Sequence, residues 1–565
     1  MKKIILLLLV VQGALLSMAQ DLEQFDVKKG LKVSGGLSFN NTFYSGSDSL
    51  IHRDPYMYTL SGNLNFNILG VIDAPFSFAV SNTSKTYTQP FNRFQFAPKY
   101  KWVKLYLGTT NMHFSQYTLA GHDARGVGVE LTPGHWNVSA MYGRFKKAIE
   151  YNPEANNIYD VAYKRMGYGL KVGYCNKGTD ANVILFSAKD DKESLEMPIP
   201  EEADLHPQKN MAVSAYFRQK FLKHFFVQGE YALSLYNSEL RASNGEEIES
   251  ANFIDRVFGR KGNDRFVDAL NASVGYEGAI WGLSFCYERV APDYQTLGGY
   301  YFTNDVETFT LAPYLKLVGG KLSMSGKFGL ERNNLNDLKA DDTRRMVGSA
   351  NVSFSSKGFT TSVSYSNFST YTRYRKTAYP YYVDDLDSLN FYQINQSLNA
   401  MASYNFGKDT TLRHNINVMA SYQASDSKND DVKESISDIV SASVSYGQSL
   451  LPKNFSFATF FSINHATADL YRSLYYGPGV SCTKQFFDKH LTTGLSFAFN
   501  ENILNDQKTN SLLNSSVSAS YLLHGIKEKY GHHTFSASAG LTNRLKTEMA
   551  RNYEFLATIR YGVTF

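Results

Sequence analysis

From Gly30 to Phe565 the chain repeats one pattern: a run of alternating apolar and polar residues, then a turn. Leu31, Val33, Leu37, Phe39 and Phe43 share one parity, opposed by Lys32, Ser34, Ser38, Asn40 and Thr42. The same holds for Tyr58, Leu60, Leu64, Phe66 and Ile68 against Thr59, Ser61, Asn63, Asn65 and Asn67, and again from Met166 to Tyr174, Phe225 to Leu235 and Trp281 to Tyr287. Period two is the repeat of a strand with one apolar and one polar face. The pattern leaves no room for a helical fold.

Connections alternate as well. Short turns fall near Gly70, Pro133-Gly134, Lys177-Gly178, Leu222-Lys223, Gly319-Gly320 and Lys357-Gly358, while Lys189 to Lys209, Ser238 to Asp264 and Tyr371 to Asn390 are long and polar. The spacing predicts about 26 strands (range roughly 22 to 26), with long loops after odd strands and short turns after even ones. A soluble sandwich would place Lys and Glu on its outer face, whereas here the polar parity is mostly Ser, Thr, Asn and Gly. Transmembrane barrels combine short turns at one end, long loops at the other and an apolar, aromatic lipid face. The expected fold is therefore all-β: a transmembrane antiparallel up-and-down β-barrel with short periplasmic turns and long extracellular loops.

Composition agrees. Only 19% of residues are charged and 14% are aromatic, with 39 Tyr and 39 Phe. Disorder needs the opposite balance. Beyond the first twenty residues no apolar run approaches the roughly 18 residues of a membrane-spanning helix. A net charge of +5 is too weak a bias to suggest nucleic acid. Cys175, Cys286 and Cys482 are scattered and odd in number, with neither metal spacing nor a disulfide framework. The first residues read as an export signal: Lys2 and Lys3, an apolar stretch from Ile4 to Val11, and Ser17-Met18-Ala19 as a small-x-small site with cleavage after Ala19. The expected organisation is a signal peptide over 1–19, a short periplasmic segment over 20–30 and a single barrel over 31–565.

The last strand carries a resemblance. Ala557, Ile559, Tyr561, Val563 and Phe565 share one parity against Thr558, Arg560, Gly562 and Thr564. An apolar alternating strand that ends on Phe resembles the C-terminal signal of Gram-negative outer-membrane β-barrel proteins. The resemblance implies that Ile559, Tyr561, Val563 and Phe565 are read by the barrel-assembly machinery. It also implies an outer-membrane location, with outer-membrane lipid and lipopolysaccharide as surroundings. The first strand begins so soon after the cleavage site that no plug domain of the kind TonB-dependent transporters carry is expected ahead of the barrel.

A ring of about 26 strands would be roughly 50 Å across, against 16 to 18 strands for general porins. An open hole of that size would defeat the membrane barrier, so flattening, inward loops or a plugging partner is expected. The function this suggests is a gated or partner-plugged conduit for transport or export of a large substrate. A passive diffusion porin and a surface receptor or scaffold are the alternatives. Parity names Lys104, Tyr106, Glu130, Glu230 and Lys327 as lumen candidates, for selectivity or for simple hydration of a wet interior. Tyr371, Arg373, Tyr374, Arg375, Tyr379 and Tyr381 form a sticky loop with the composition of a binding hot spot for a surface protein partner, and equally of a loop that packs on itself.

Pro90 to Lys147 interleaves Arg93, Lys99, Lys101, Lys104, Arg125, Arg144, Lys146 and Lys147 with aromatics. This suits an anionic glycan, lipopolysaccharide or an inserted peptide, and equally an interface girdle of snorkelling cations. Asp190, Asp191, Glu193, Glu196, Glu201, Glu202 and Asp204 read as a solvated acidic loop, since they lack the Gly-turned pattern of a calcium loop. No HExxH, GxSxG or GxxxxGK[ST] occurs. His122-Asp123 reads as ordinary outer-loop chemistry. No enzyme activity, metal or cofactor is expected.

Overall fold

In a computed structural model, the structure describes residues 30–47, 54–82, 93–153, 160–200, 203, 205–238, 264–300, 303–338, 344–367, 396–408, 410–429, 432–468, 471–524, 531–545 and 552–565. The expected signal peptide lies outside them. The strands run β1 (Leu31–Gly46), β2 (Tyr56–Ile68), β3 (Ile72–Ser81), β4 (Arg93–Phe96), β5 (Lys99–Tyr100), β6 (Val103–Thr110), β7 (Ala124–Leu131), β8 (Trp136–Lys146) and β9 (Arg165–Cys175). They continue as β10 (Thr179–Asp190), β11 (Lys209–Phe221), β12 (Phe225–Asn237), β13 (Arg265–Glu277), β14 (Trp281–Val290), β15 (Val306–Leu317), β16 (Leu322–Asn333), β17 (Arg344–Ser356) and β18 (Phe359–Ser366). The last are β19 (Gln396–Lys408), β20 (Leu412–Asn429), β21 (Val432–Leu450), β22 (Phe455–Ala468), β23 (Tyr471–Phe486), β24 (Leu491–Leu504), β25 (Gln507–His524), β26 (His532–Arg544) and β27 (Tyr553–Thr564).

Each strand pairs antiparallel with its neighbours in sequence. β4 and β5 both lie between β3 and β6, so they are two halves of one wall strand. The ladder breaks between them at Ala97-Pro98, where proline has no N–H to donate. The wall therefore has 26 strands. It closes on itself: β1 pairs with β27 from Gly36↔Thr564 to Gly46↔Glu554. Two further bonds finish the seam, Gly35 N–H to Phe565 O at 2.7 Å and Phe565 N–H to Gly35 O at 3.0 Å.

The two parities become the two faces of the wall. The outer face exposes large apolar side chains along its length, among them Val183, Tyr142, Val444, Val517 and Ile559. At the short-turn end, outward aromatics stack from strand to strand. Phe221, Phe225, Tyr276 and Trp281 form one run, with ring centroids 5.8, 5.3 and 4.6 Å apart. Phe359, Tyr404, Phe406, His414 and Tyr446 form another. An apolar band bounded by such a girdle is the surface a bilayer solvates.

The alternation of loop lengths holds through β18 and then changes character. β20 ends at Asn429 and β21 begins at Val432; β22 ends at Ala468 and β23 begins at Tyr471. β24 and β25 are joined by Asn505-Asp506 alone, with φ of 49° and 63°. At these three hairpins the strands extend instead, β21 to 19 residues. Asn and Asp tolerate the left-handed conformation that a two-residue hairpin needs, so at Asn505-Asp506 the ladder continues where a long loop was expected.

Opposite faces at adjacent positions give a direct test. Val517→Arg places a charge on the lipid face and should cost about 2–4 kcal/mol if that level lies near the bilayer midplane. Ser516→Arg, one residue away on the inner face, should change stability little. Guanidinium unfolding in phospholipid vesicles, followed by heat-modifiable gel mobility, measures both. Equal costs, or the reverse order, would contradict the assignment of faces.

Candidate functional site: two loops folded into the lumen

Residues 111–123, which follow β6, carry Met112, Phe114, Tyr117 and Leu119, all buried. A loop exposed to water would not bury four large apolar side chains. This one packs on the inner wall, against Met141, Phe145, Ile184, Phe186 and Ala188 of β8 and β10. Two inward glycines make the approach possible. A Cβ on Gly128 would lie 2.8 Å from Met112 Sδ, and one on Gly169 would lie 2.9 Å from Phe114 Cε2.

The loop then crosses the inside of the wall to β12 and β14. Ser115 donates from its hydroxyl to Glu230. The Tyr117 hydroxyl donates to Glu288 Oε1 at 2.6 Å, and Gln116 Nε2 reaches the same oxygen at 3.2 Å. A second inward segment, 291–300, locks onto the first. The Tyr294 hydroxyl donates to Tyr117 O at 2.8 Å, and Thr296 Oγ1 donates to Thr118 O at 2.5 Å. Leu119 bridges in parallel to Gly298. Gln295 O accepts from Ser234 Oγ at 2.7 Å, and Asn210 Oδ1 accepts from Leu297 N–H at 3.2 Å. Ala232 and Ala269, small and inward, leave room for Tyr117 and Tyr294. The two loops are stitched to each other and to the wall.

His122, expected in an outer loop, is instead inside this seat and 2% exposed. Its ring stacks on Tyr300 at 4.2 Å and touches Phe145 at 5.2 Å; Nδ1 lies 2.8 Å from Asp123 O. Burial lowers its pKa to about 4, against an opposing hydrogen bond to the Asp123 backbone and with smaller help from the Arg165 and Lys146 charges. Asp190, expected in the solvated acidic loop, is also inside. It takes a two-pronged bond from Arg165 at 2.7 and 2.9 Å, both side chains buried. Inner-face parity at the end of β10 puts it there. The loops beyond are tied together, with Glu150 accepting from the N–H groups of Glu196 and Met197.

Of the lumen candidates, the structure brings three together. Lys104 and Glu130 are register partners, the Tyr106 hydroxyl donates to Glu130 Oε2 at 2.8 Å, and Lys104 Nζ sits 4.5 Å from the Tyr106 ring centre. Glu230 stands apart from them, holding the loop at Ser115. Lys327 lies on the inner parity of β16, opposite the outward Phe328. Tyr371, Arg373, Tyr374, Arg375, Tyr379 and Tyr381 lie outside the described residues. Ile559, Tyr561, Val563 and Phe565 lie on the outward parity of the closing strand and its end.

The wall opposite the loops has another chemistry. Its inner face is a ladder of hydroxyls and amides: Ser323–Ser353 at 2.7 Å, Ser425–Ser437 at 2.6 Å, Ser496–Ser516 at 2.6 Å and Ser520–Ser536 at 3.1 Å. At the seam, Arg560 bonds Ser38 Oγ at 3.1 Å beside a groove of about 460 Å³ lined by Ser61, Asn63, Thr534 and Ser536.

No family model matches the sequence, and no curated protein matches it. Among solved structures, the chain is similar to BauA, the ferric preacinetobactin receptor of Acinetobacter baumannii, at 10% identity and TM-score 0.35 over 94% of this chain and 80% of that one. It is similar to the FrpB iron transporter of Neisseria meningitidis at 10% identity and TM-score 0.35, over 95% and 82%. Acinetobacter baumannii OccAB4 matches at 10% identity and TM-score 0.28, over 68% and 97%. Likeness at this level assigns no function to the chain.

The state of His122 gives the seat a pH dependence. With its pKa near 4 inside and near 6.5 when released, the ring binds a proton more readily in the released loop. Acid therefore favours release, beginning as pH falls through about 6.5 and reaching about 3 kcal/mol below pH 4. Hydrogen exchange of the 111–123 amides, corrected for intrinsic rates, should be faster at pH 5 than at pH 7.5, and His122→Phe should erase the difference. Equal protection at both pH values in the unmodified protein would contradict this.

Proposed function

We propose that this protein is an outer-membrane barrel of a Gram-negative bacterium, working as a conduit gated by its own inward loops. The observation that carries the reading is the bond from Tyr117, which follows β6, to Glu288 on β14. It holds a segment of chain across the inner face of the wall. A ring of this strand number would otherwise leave an opening roughly 50 Å across if circular. The apolar exterior, the aromatic girdle and the closed ladder support the membrane placement. The terminal strand, with Ile559, Tyr561, Val563 and Phe565, supports delivery by the barrel-assembly machinery.

The substrate side of the reading follows from the asymmetric lumen. The two loops occupy one sector, and a wall dominated by hydroxyls and amides, with Arg560 at its seam, occupies the other. A cargo passing between them would slide on the hydroxyl-rich side, where small polar side chains offer many weak, replaceable hydrogen bonds. Opening the loops would widen the passage toward something larger than a single small solute.

Single-channel recording in planar bilayers tests this. The intact protein should show low or absent steady conductance, and removal of residues 112–119 should raise it several-fold. The same large, steady conductance in both would identify a passive porin and overturn the gate.

A further inference from the structure

The outer face carries charge at the long-loop end, in two different arrangements. Across β13 to β16 the charges neutralise one another. Arg289 meets Asp268 at 3.3 Å, and Arg332 pairs with Glu307, which also accepts from the Tyr287 hydroxyl at 2.7 Å. Across β7 to β11 they do not. Register places Arg125 opposite Arg144, Arg144 opposite Met166, Met166 opposite Lys189, and Lys189 opposite Lys209. Four cations thus stand in one row over five adjacent strands, in two directly facing like-charged pairs.

Parity puts all four outside. Arg125 follows the parity of exposed Val127, Arg144 that of exposed Tyr142, and Lys189 that of exposed Val183, while their neighbours Ala124, Phe145 and Ala188 are buried inside. Lys209 faces Lys189 on the same side. Among the described residues none of the four makes an ion pair. Three described acids beside the row in sequence are engaged elsewhere: Asp123 with Arg93 at 2.8 Å, Asp190 with Arg165 at 2.7 Å and Asp191 with Lys164 at 3.9 Å.

Like charges directly opposite on a sheet destabilise it. A wall that carries two such pairs side by side is complete only with an anion across them. The next row down the strands is Val127, Tyr142, Tyr168, Ser187 and Met211, an apolar and aromatic surface on which Val127, Tyr142 and Tyr168 are exposed. An anion seated on the cations therefore has an apolar part of its bearer lying directly beneath. Free phosphate offers no such part.

We infer that the row Arg125, Arg144, Lys189 and Lys209 is a binding surface for the phosphate groups of an acylated outer-leaflet lipid. The guanidinium pair holds one phosphate by forked hydrogen bonds, the ammonium pair holds a second as point charges, and Tyr142 and Tyr168 pack on the lipid below. This rests on the membrane placement of the barrel and is independent of whether the lumen conducts.

The experiment is native mass spectrometry of the purified full-length barrel titrated with bis-phosphorylated lipid A, dephosphorylated lipid A and inorganic phosphate. The variants are Arg125→Gln with Arg144→Gln, Lys189→Gln with Lys209→Gln, and Arg289→Gln as a control from the self-neutralised sector. Bis-phosphorylated lipid A should bind the unmodified protein and the control at least tenfold more tightly than either double variant, and dephosphorylated lipid A should bind all of them weakly. In detergent without lipid, the Arg125→Gln, Arg144→Gln protein should melt at a higher temperature than the unmodified one, because a repulsion has been removed; this readout also shows that the variant folds. Equal lipid A binding by the unmodified protein and both double variants would overturn the inference. So would equal binding of the dephosphorylated lipid, or displacement of bound lipid A by millimolar inorganic phosphate.

Discussion

Everything in this molecule depends on the closing of its backbone ladder. In hydrocarbon an unpaired N–H or C=O costs several kcal/mol and finds no water. A sheet with free edges could not stay in a bilayer. Here the first and last strands find each other, from Gly36↔Thr564 to Gly46↔Glu554, and the seam is finished by reciprocal bonds between Gly35 and Phe565. Closure turns the period-two sequence into two continuous surfaces, one solvated by lipid and one facing inward.

Closure at this strand number encloses a wide interior. Two segments of the chain lie against its wall. Residues 111–123 and 291–300 bury Met112, Phe114, Leu119 and Leu297 against inward Ile184 and Phe186, on a wall thinned by Gly128 and Gly169. A cluster of polar bonds to Glu230, Glu288 and Asn210 fixes where they lie. The interior is thus dry on one sector and polar on the other, so mobility of the loops and passage through the lumen become one question.

The wall was legible in the sequence because its rule is local: alternation, turn, alternation. Strand number, face assignment and the short-turn end all follow from it. The lumenal loops were legible only as a need for something inside, because their seats are set by contacts between residues more than a hundred positions apart, such as Tyr117 with Glu288. Two signals pointed there. Val183-Ile184-Leu185-Phe186 is apolar on both parities, the mark of a strand dry on both faces, and the 111–123 loop is rich in large apolar residues. His122 turns inward for the same reason, since a loop residue has no periodicity to say which way it points; Asp190 has that periodicity, because β10 runs on to it and into what reads as the acidic loop. The short Asn505-Asp506 connection departs from the expected long loop because Asn and Asp suit a tight turn as well as a long loop.

The central claim, that 111–123 lies across the inner wall, is tested most directly by a cross-link. Cys175, Cys286 and Cys482, which form no disulfide, are replaced by Ser, and cysteines are introduced by Ser115→Cys and Glu230→Cys, whose native side chains are hydrogen-bonded. A short reversible bis-methanethiosulfonate cross-linker, applied in native membranes, should join the two cysteines within one chain in most of the protein, seen as a shift in gel mobility that reductant reverses. Absence of that cross-link, together with rapid labelling of position 115 by a membrane-impermeant maleimide as though it were an ordinary surface loop, would contradict the account.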